Sequence, residues 1–491
     1  MKQILAYLYE YVKINNLFVY FTVFLGLLSL LKYFKVPFSF SSRKKLILII
    51  GLGLVLRICW LGYSSHEPKM VRGSENLLEM DLINLSAIDL THGHWFLNAD
   101  GTPSGRRPIG YPLFLGGLYK MFGAHIQVAW ISSLLLYAAT AGLVFLMTRS
   151  IFTEREALLA TLAFAVYPTA IYGIKMIMDE HLFLPVWYSG IFLLFREGES
   201  AEESRWSWLW YGVIFGYAAM IRTHVIFMPL VVAWALYLKK TPWHKIILTT
   251  FLVGFTMQLA NLPWVIRNYR AWKVPVLYTA TSQFVYAQMN DTAGPEGGGH
   301  VPLRGEPGYS EELERATLSG NEGLAHKIAG REMTRWILSH PKKFMSLGIS
   351  RLLYFMNWNR GGGSWPLYYQ FSEGAFDPNR PLPSEAKSIF EELGFSFYYI
   401  VLFSSLFSIP LIASRWKSLK ESQKRCLLIL AGCFFFWFLE HTVIYPWRKY
   451  RFPLVPLMMI LATPFLSYIL YELRWERLIM RLNPKKKYAT L

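Results

Sequence analysis

The sequence predicts an all-α polytopic membrane protein with about eleven transmembrane helices and two large outer loops. Of the 491 residues, 54% are hydrophobic and only 17% are charged, whereas soluble domains carry about 25% charged residues. The apolar residues cluster in runs near the ~20 residues that cross a ~30 Å hydrocarbon core. Open sheets would leave unpaired backbone groups in lipid, so helices are the remaining solution. The predicted spans are 17–34, 46–63, 126–147, 157–174, 181–195, 207–221, 224–238, 246–262, 394–413, 426–444 and 453–470.

Basic residues set the predicted orientation of these spans. Lysine and arginine concentrate in alternate short connectors, including 43–45, 239–245 and 415–425, and in the C-terminal tail. The positive-inside rule places these segments in the cytoplasm, with the N-terminus outside and the C-terminus inside. The formal charge of +18 therefore reflects topology and attraction to anionic membrane lipids rather than nucleic-acid binding.

Two long segments, 64–125 and 264–392, then face outward, while every cytoplasmic connector is short. The predicted organisation has an extra N-terminal transmembrane helix in 1–43, a transmembrane core in 44–263, a partly helical outer region in 264–392, and C-terminal helices with a basic tail in 393–491. Within the loops, residues 108–123 predict an interfacial helix, and 323–339 and 342–356 predict two helices broken at a proline. Any chemistry is expected on the outer face.

The first outer loop carries the candidate carboxylates. Glu79 and Asp81 open a segment that is predicted to be helical through Leu90. A solvated acidic face is the simpler interpretation of these residues, and a proton-accepting base is the functional one. Arg106 and Arg107 precede a Pro-Gly turn that contains Tyr111, and arginine forks suit phosphate oxygens. Snorkelling to lipid head groups is the alternative for both arginines.

Other outer turns add further charges. They contain Glu180, Arg222, Arg267, Arg448, Lys449 and Arg451. A cavity ringed by Arg107, Arg222, Arg267, Arg448 and Arg451 around one or two carboxylates would suit an anionic lipid phosphate, with a carboxylate left to act as base. The sequence has no His/Cys metal spacing, nucleophile elbow or Walker motif. No metal site is predicted, although Glu79 and Asp81 are the carboxylates that a divalent ion would contact.

The order of several motifs resembles the GT-C glycosyltransferases, in particular protein O-mannosyltransferases and lipid A aminoarabinose transferases. The resemblance runs from about residue 44 to 470 and is carried by the following residues: an acid before Ala87, Gly93, Arg107-Pro108-Ile109-Gly110-Tyr111-Pro112, Tyr167-Pro168, Glu180, Pro263-Trp264-Val265-Ile266-Arg267-Asn268-Tyr269, His340-Pro341, and Tyr450-Arg451-Phe452-Pro453. The order of these elements is more specific than any one of them.

The resemblance implies inverting transfer of a sugar from a polyprenyl-phosphate donor at the outer leaflet. The base would be an acid of the first outer loop, with Asp81 favoured over Glu79. Arg107, Arg267 and Arg451 would contact the donor phosphate, and Glu180 would be a second polar residue of the site. No cofactor is required and a divalent metal is optional. The acceptor would be a lipid, a glycan or a protein, and the membrane a bacterial inner membrane with the site on its periplasmic side.

Two other functions fit the same topology. A flippase or transporter of polyprenyl-linked sugars would need polar residues through the middle of the spans, where Arg57 and Gln258 are among the few present. A non-catalytic membrane scaffold is the other, because large outer loops alone do not require an enzyme.

Overall fold

A computed structural model describes residues 42–63, 79–98, 101–196, 206–294, 298–355, 384–444 and 448–472, with only the backbone described at 79, 80, 384–388, 448 and 472. The helices are α1 Ser42–Tyr63, α2 Glu79–Thr91, α3 Gly110–Phe122, α4 Ile126–Ile151, α5 Glu154–Ala165, α6 Pro168–Tyr172, α7 Glu180–Arg196, α8 Ser207–Ile221, α9 Met228–Leu238, α10 Trp243–Trp272, α11 Ser282–Tyr286, α12 Glu311–Leu318, α13 Glu322–Ser339, α14 Pro341–Phe355, α15 Ser384–Ser414, α16 Glu421–Val443 and α17 Val455–Ser467. These ranges contain no strand, and one isolated bridge pairs Leu97 with Pro103. The predicted all-α class is confirmed.

Six helices of the described ranges are long and apolar enough to cross a membrane, or seven if a bent pair counts as one span. That pair is α5 with α6, where the chain bends by 49°. The bend falls at Tyr167, since the residue before a proline is disfavoured in the α conformation. Ten predicted spans fall on described helices, but α7, α8 and α9 are short. The count of eleven is therefore not confirmed, and the predicted span 17–34 lies outside the described residues.

One end of the helix bundle, which we call the loop face, contains the end of α1, the turn after α6 and the start of α4. Lys175, in the turn after α6, donates to the carbonyl of Leu61 near the end of α1 at 3.0 Å. The indole of Trp130, near the start of α4, donates to the carbonyl of Lys175 at 3.1 Å. These bonds satisfy backbone groups at helix ends that have no intrahelical partner. The ends of α1 and α6 and the start of α4 are thereby held together.

The described part of the first long segment contains an antiparallel helix pair. The hydroxyl of Tyr119 on α3 donates to Asn84 on α2 at 2.7 Å. One turn further along α2 and one turn back along α3, a Cβ on Gly116 would lie only 2.9 Å from the carbonyl oxygen of Ala87, so this close approach requires glycine. Helix α3 confirms the helix predicted at 108–123.

The second long segment contains a small helical unit of its own. Its core packs Tyr286, Leu313, Ala325 and Ile328 from α11, α12 and α13. Helix α13 begins after Asn321, whose side chain accepts a hydrogen bond from the backbone of Leu324 at 2.9 Å. Helices α13 and α14 confirm the two helices predicted at 323–339 and 342–356.

Candidate active site at the loop face

Two carboxylates and one arginine form the centre of a polar cluster at the loop face. Arg222 contacts Asp179 twice, with Nε 2.9 Å from Oδ2 and Nη2 3.2 Å from Oδ1. Nη2 of the same guanidinium also donates to Oε1 of Glu180. The side chains of Arg222 and Glu180 are only 5% and 2% exposed, so these groups are shielded from water. Charges this deeply buried are maintained only when they are paired.

Helix ends place these three residues together. Asp179 precedes α7, and its carbonyl accepts the first helical hydrogen bond, from the amide of Phe183 at 2.9 Å. The positive end of the helix dipole favours carboxylates at Asp179 and Glu180. Arg222 follows the last residue of α8 with extended backbone angles, φ −143° and ψ 122°. Its side chain therefore leaves the helix axis and reaches the start of α7.

Tyr111 and Lys449 approach the cluster from two other elements. Gly110 allows the approach of α3, because a Cβ there would lie 2.7 Å from the backbone nitrogen of Ile221. The Tyr111 hydroxyl interacts electrostatically with Asp179 and Glu180; mainly burial, helped by these charges, raises the pKa of Tyr111. Tyr111 therefore stays protonated and able to donate a hydrogen bond.

The segment after α16 brings Lys449 to the carboxylates. Residues Arg448–Leu454 form a 3-10 helix, and the hydroxyl of Tyr188 on α7 holds it by donating to the carbonyl of Pro453 at 2.6 Å. Lys449 interacts electrostatically with Asp179, and its ammonium lies 5.7 Å from the centre of the Tyr450 ring. Lys449 is thus a second cation beside the carboxylates.

The two carboxyl groups differ in the direction of their pKa shifts. Burial alone would raise the pKa of Asp179, but the Arg222 charge, a hydrogen bond from the Glu180 side chain and Lys449 together lower it to about 2. Burial, together with the charge of Asp179, raises the pKa of Glu180 well above its usual value. Arg222 and Lys449 are the cations that an anionic ligand would contact here.

The two acids predicted as base lie on α2. The Asp81 side chain is 1% exposed and is engaged in a contact within the protein, whereas the side chain of Glu79 lies outside the described part of the structure. Asp81 lies one turn before Asn84, which α3 holds through Tyr119. The solvated acidic face considered for this segment does not apply to Asp81. The choice between Asp81 and Glu79 stays a prediction.

Arg106 and Arg267 belong to a different group, at the junction of the two long segments. Arg106 Nε lies 2.9 Å from Glu322 Oε1 at the start of α13. Arg267 of α10 donates to the carbonyls of Trp95, Phe96 and Ser104 at 2.7, 2.7 and 2.9 Å. Both guanidiniums thus have protein partners that join the segments. Of the predicted ring of arginines, Arg267 is thus held by backbone carbonyls of the first long segment.

The remaining predicted cations differ in how they are held. Arg451 is 5% exposed, and its guanidinium carbon lies 4.8 Å from the centre of the Tyr398 ring. Arg107 is partly buried and has a contact within the protein. The Arg448 side chain lies outside the described part of the structure. Among the residues that the structure describes, no group of three or more His, Cys, Asp or Glu side chains is arranged to hold a metal ion.

Comparison with known families supports the resemblance seen in the sequence. Residues 106–264, roughly a third of the chain, match the family model described as dolichyl-phosphate-mannose-protein mannosyltransferase. The predicted GT-C resemblance is confirmed. The matched range contains Tyr111, Asp179, Glu180 and Arg222, and so the polar cluster falls largely inside it. Comparison with curated proteins gives no significant match.

Several solved structures are similar to this chain at low sequence identity. The Archaeoglobus fulgidus oligosaccharyltransferase tethered to an acceptor peptide is 14% identical, with a TM-score of 0.50, 90% coverage of this chain and 51% of that one. The same organism's AglB with an inhibitory peptide and a dolichol-phosphate gives 13% identity, a TM-score of 0.48 and coverages of 90% and 52%. ArnT from Cupriavidus metallidurans bound to undecaprenyl phosphate is 13% identical, with a TM-score of 0.40, 88% coverage of this chain and 78% coverage of that one. The chain spans about half the length of the oligosaccharyltransferases that it matches.

Four polar residues of the loop face were not predicted as site residues. Asp179 is one, although it adjoins the predicted Glu180. The others are His224, Glu440 and His441, of which His224 Nδ1 lies 2.8 Å from Glu440 Oε1. An acid next to a histidine at the end of an apolar run, as in Glu440-His441, was the available signal, because buried charges in spans need partners.

Proposed function

We propose that this chain is a membrane glycosyltransferase that moves a sugar from a polyprenyl-phosphate donor to an acceptor hydroxyl, with inversion, at the loop face. The observation that carries the proposal is the Asp179–Glu180–Arg222 cluster, which lies in the range matched by the mannosyltransferase family model and has Lys449 beside it. An arginine and a lysine at one site suit a phosphate carried on a lipid chain. The acceptor is a lipid, a glycan or a protein.

The residues divide the chemical step between them. Asp81, or Glu79, takes the proton from the acceptor hydroxyl, and the oxygen attacks the anomeric carbon. The bond from that carbon to the phosphate oxygen breaks, and its electron pair leaves with the polyprenyl phosphate. Lys449 and Arg451 stabilise the charge that develops on the leaving phosphate. Single displacement from the opposite side inverts the anomeric carbon.

Arg222 has two tasks in this scheme. Its Nε and Nη2 hold the carboxyl groups in place. Its Nη1 is buried without a hydrogen-bond partner among the described residues, and a phosphate oxygen would satisfy it. Arg107 and Arg448 are further proposed contacts of the donor phosphate, whereas Arg106 and Arg267 keep the two long segments together around the site. No cofactor takes part, and a divalent ion, if used, would bind at Glu79 and Asp81.

An apolar groove supports a lipid-linked donor. A cavity of about 770 Å³ lies between α9, α10 and α16, and its walls include Leu230, Trp234, Tyr237, Phe435 and Phe436. Phe436 precedes Glu440 on α16 by one turn, so one end of the groove lies near Glu440, and the groove extends toward Trp243 at the start of α10. We assign it to the polyprenyl chain, because a chain of apolar isoprene units gains free energy in proportion to the area it buries.

The test is a transfer assay with purified protein in nanodiscs and a panel of polyprenyl-phosphate sugars. We expect one donor to be consumed and the Asp81→Asn variant to lose roughly 10²- to 10⁴-fold in rate, the usual contribution of a general base. Asp89→Asn is the matched control, an aspartate on the same helix two turns away. Full activity of Asp81→Asn with loss in Glu79→Gln would move the base to Glu79. Movement of the donor across the membrane without sugar transfer would indicate a flippase rather than a glycosyltransferase.

Two further assays test the remaining parts of the proposal. Activity in the presence of EDTA is expected to be unchanged, and its loss with recovery on adding a divalent ion would assign the metal to the reaction. Placement of the site outside the cytoplasm, in a bacterial inner membrane, is tested by labelling cysteines introduced at the loop face in intact cells. Labelling only after permeabilisation would place the loop face inside.

A further inference from the structure

The last turn of α16 carries an acid and a histidine that converge on His224. Glu440 Oε1 lies 2.8 Å from His224 Nδ1, and the ring of His441 lies 5.4 Å from the His224 ring, nearly parallel to it. Tyr450 closes one side of this group, with its ring 4.7 Å from His224 and 5.7 Å from His441. Phe355 packs on His441 at 4.5 Å. The group is a set of polar side chains between aromatic walls.

One atom on each of three side chains here is buried and lacks a hydrogen-bond partner in the described structure. These atoms are Glu440 Oε2, His441 Nε2 and Arg222 Nη1, on residues that are 6%, 0% and 5% exposed. Buried polar atoms are almost always hydrogen-bonded, since leaving one unpaired costs about 1–3 kcal/mol. Three of them around one histidine and one tyrosine indicate a ligand rather than a packing accident.

The chemistry of each atom can be assigned. His441 Nδ1 lies 2.7 Å from the carbonyl oxygen of Trp437, and a carbonyl only accepts, so Nδ1 carries the proton. Nε2 of the neutral ring is then an acceptor. Glu440 Oε2 is an acceptor and Arg222 Nη1 is a donor. The His224–Glu440 pair explains the burial of Oε1 but leaves Oε2 without a partner.

Two acceptors and a donor between aromatic rings suit a sugar that carries a phosphate. A hydroxyl both donates and accepts, so vicinal hydroxyls of the sugar could satisfy Glu440 Oε2 and His441 Nε2, and Arg222 Nη1 donates to the phosphate. Apolar walls with a few placed polar groups are the usual composition of small-molecule sites. Arg222 adjoins Tyr450, with its guanidinium carbon 5.6 Å from the ring centre, and Lys449 adjoins the same ring. A sugar joined to a phosphate at these cations would reach Glu440 and His441.

From this arrangement we infer that Glu440 and His441 bind hydroxyl groups of the sugar carried by the donor and determine which sugar is accepted. The inference rests on the proposed function, because it assigns the sugar subsite of that same donor. Glu440 and His441 are specificity contacts, and the base stays on α2. A site built to hydrogen-bond a hydroxyl discriminates strongly against a ligand that lacks it.

The test compares two ligands on the wild type and three variants. Binding of the preferred polyprenyl-phosphate sugar, chosen from donors carrying mannose, glucose, galactose or N-acetylglucosamine, is measured beside binding of the bare polyprenyl phosphate. Glu440→Gln and His441→Phe are expected to weaken binding of the sugar-bearing lipid by about 10- to 100-fold and to leave bare polyprenyl phosphate unchanged. Leu439→Ala is the control, a neighbouring side chain that is 47% exposed and outside the site.

A second measurement separates recognition from packing. Donors that lack one sugar hydroxyl are compared with the complete donor on wild type and on both variants. If Glu440 or His441 binds that hydroxyl, its variant will no longer distinguish the two donors. An equal loss of binding for bare and sugar-bearing lipid, or unchanged discrimination in both variants, would overturn the inference. The proposed function would still stand if the wild type transfers the sugar. Wild-type protein that transfers none of these sugars would count against both.

Discussion

Arg222 and Asp179 form a two-point ion pair, with Nε 2.9 Å from Oδ2 and Nη2 3.2 Å from Oδ1. This fork geometry fixes orientation as well as distance, which a lysine could not do. The pair joins the residue after α8 to the residue before α7, so it clamps two helix ends that the chain separates by 43 positions. The position of Glu180 depends on the same guanidinium.

Removing the guanidinium should cost both stability and activity. Arg222→Ala leaves two shielded carboxyl groups without their cation, and breaking a buried pair in this way destabilises by about 3–5 kcal/mol. Arg222→Lys keeps the charge but loses the second contact to Asp179. We expect a large fall in the thermal midpoint for the alanine variant and a smaller one for lysine, with transfer activity reduced in both. A lysine variant as stable and active as wild type would show that only the charge matters.

The Asp179 carboxylate should set part of the acid sensitivity. Its folded pKa of about 2 lies below the usual 3.8, so it stabilises the folded chain above pH ~4 and that contribution is lost as pH falls through about 2. Asp179→Asn should lower the thermal midpoint at pH 7 and flatten its decline between pH 4 and 2. The measurement is the thermal midpoint of both proteins across that range. Parallel curves would contradict the assignment.

Local pattern was sufficient to predict most helices. Runs of apolar residues placed α1, α4, α10, α15 and α16, and the Gly- and Pro-bounded segment placed α3. The number of spans was harder, because a helix as short as α9 is defined by its packing partners rather than by its own length. The Tyr167-Pro168 pair indicates the break between α5 and α6, but the angle of the break depends on how the neighbouring helices pack against it.

The site was less predictable than the fold. The sequence shows which cations share a face but not which of them a protein group already holds. Arg222, Arg106 and Arg267 look alike in the chain, yet the first pairs with acids 43 positions away, the second with Glu322, and the third with backbone carbonyls. Pairing between distant residues is set by tertiary contacts, which one sequence without relatives does not reveal. For the same reason, the sequence did not reveal the contact between His224 and Glu440.

Arg57 should act as a structural cap inside the bundle. Its Nη1 donates to the carbonyls of Gly53 and Ala165 at 2.9 Å each, and its guanidinium lies 3.6 Å from the centre of the Tyr137 ring. Ala165 ends α5, so its carbonyl lacks a helical partner at the bend. Arg57→Leu leaves the Ala165 carbonyl without this donor and is expected to lower stability by about 1–3 kcal/mol. Cys59→Ala, at an exposed position of the same helix, should have little effect in the same thermal assay.

Glu322 should matter more than Arg106 at the junction of the long segments. Glu322 accepts from the backbone amide of Gly105 at 2.8 Å and from Asn98 at 3.2 Å besides pairing with Arg106. The Arg106 side chain is 69% exposed, so its share of the ion pair is screened by water. We expect Glu322→Ala to destabilise by about 1–3 kcal/mol and Arg106→Ala by under about 1 kcal/mol, with donor KM unchanged in the latter. A large rise in donor KM for Arg106→Ala would instead make it a donor contact.

Arg351 should couple the second long segment to the proposed sugar subsite. Its Nη1 donates to the carbonyls of Val443 and Thr442 at 2.6 and 3.2 Å, and its Nη2 donates to the carbonyl of Gln288. The first two carbonyls belong to the last turn of α16, which carries Glu440 and His441, and a cation is favoured at a helix C-terminus. Arg351 therefore fixes that turn against the segment that contains α11.

Replacing Arg351 should consequently impair donor recognition from a distance. Arg351→Met keeps an apolar stem of similar length but leaves three carbonyls without this donor, so we expect lower stability and a higher donor KM. Arg335→Ala is the matched control, an arginine on α13 that is 69% exposed and pairs with Glu332 on its own helix, for which both quantities should hardly change. Limited proteolysis checks the coupling, since release of the α11–α14 segment should speed cleavage in the methionine variant. A variant with normal KM and faster cleavage would mean that the segment moves independently of the last turn of α16.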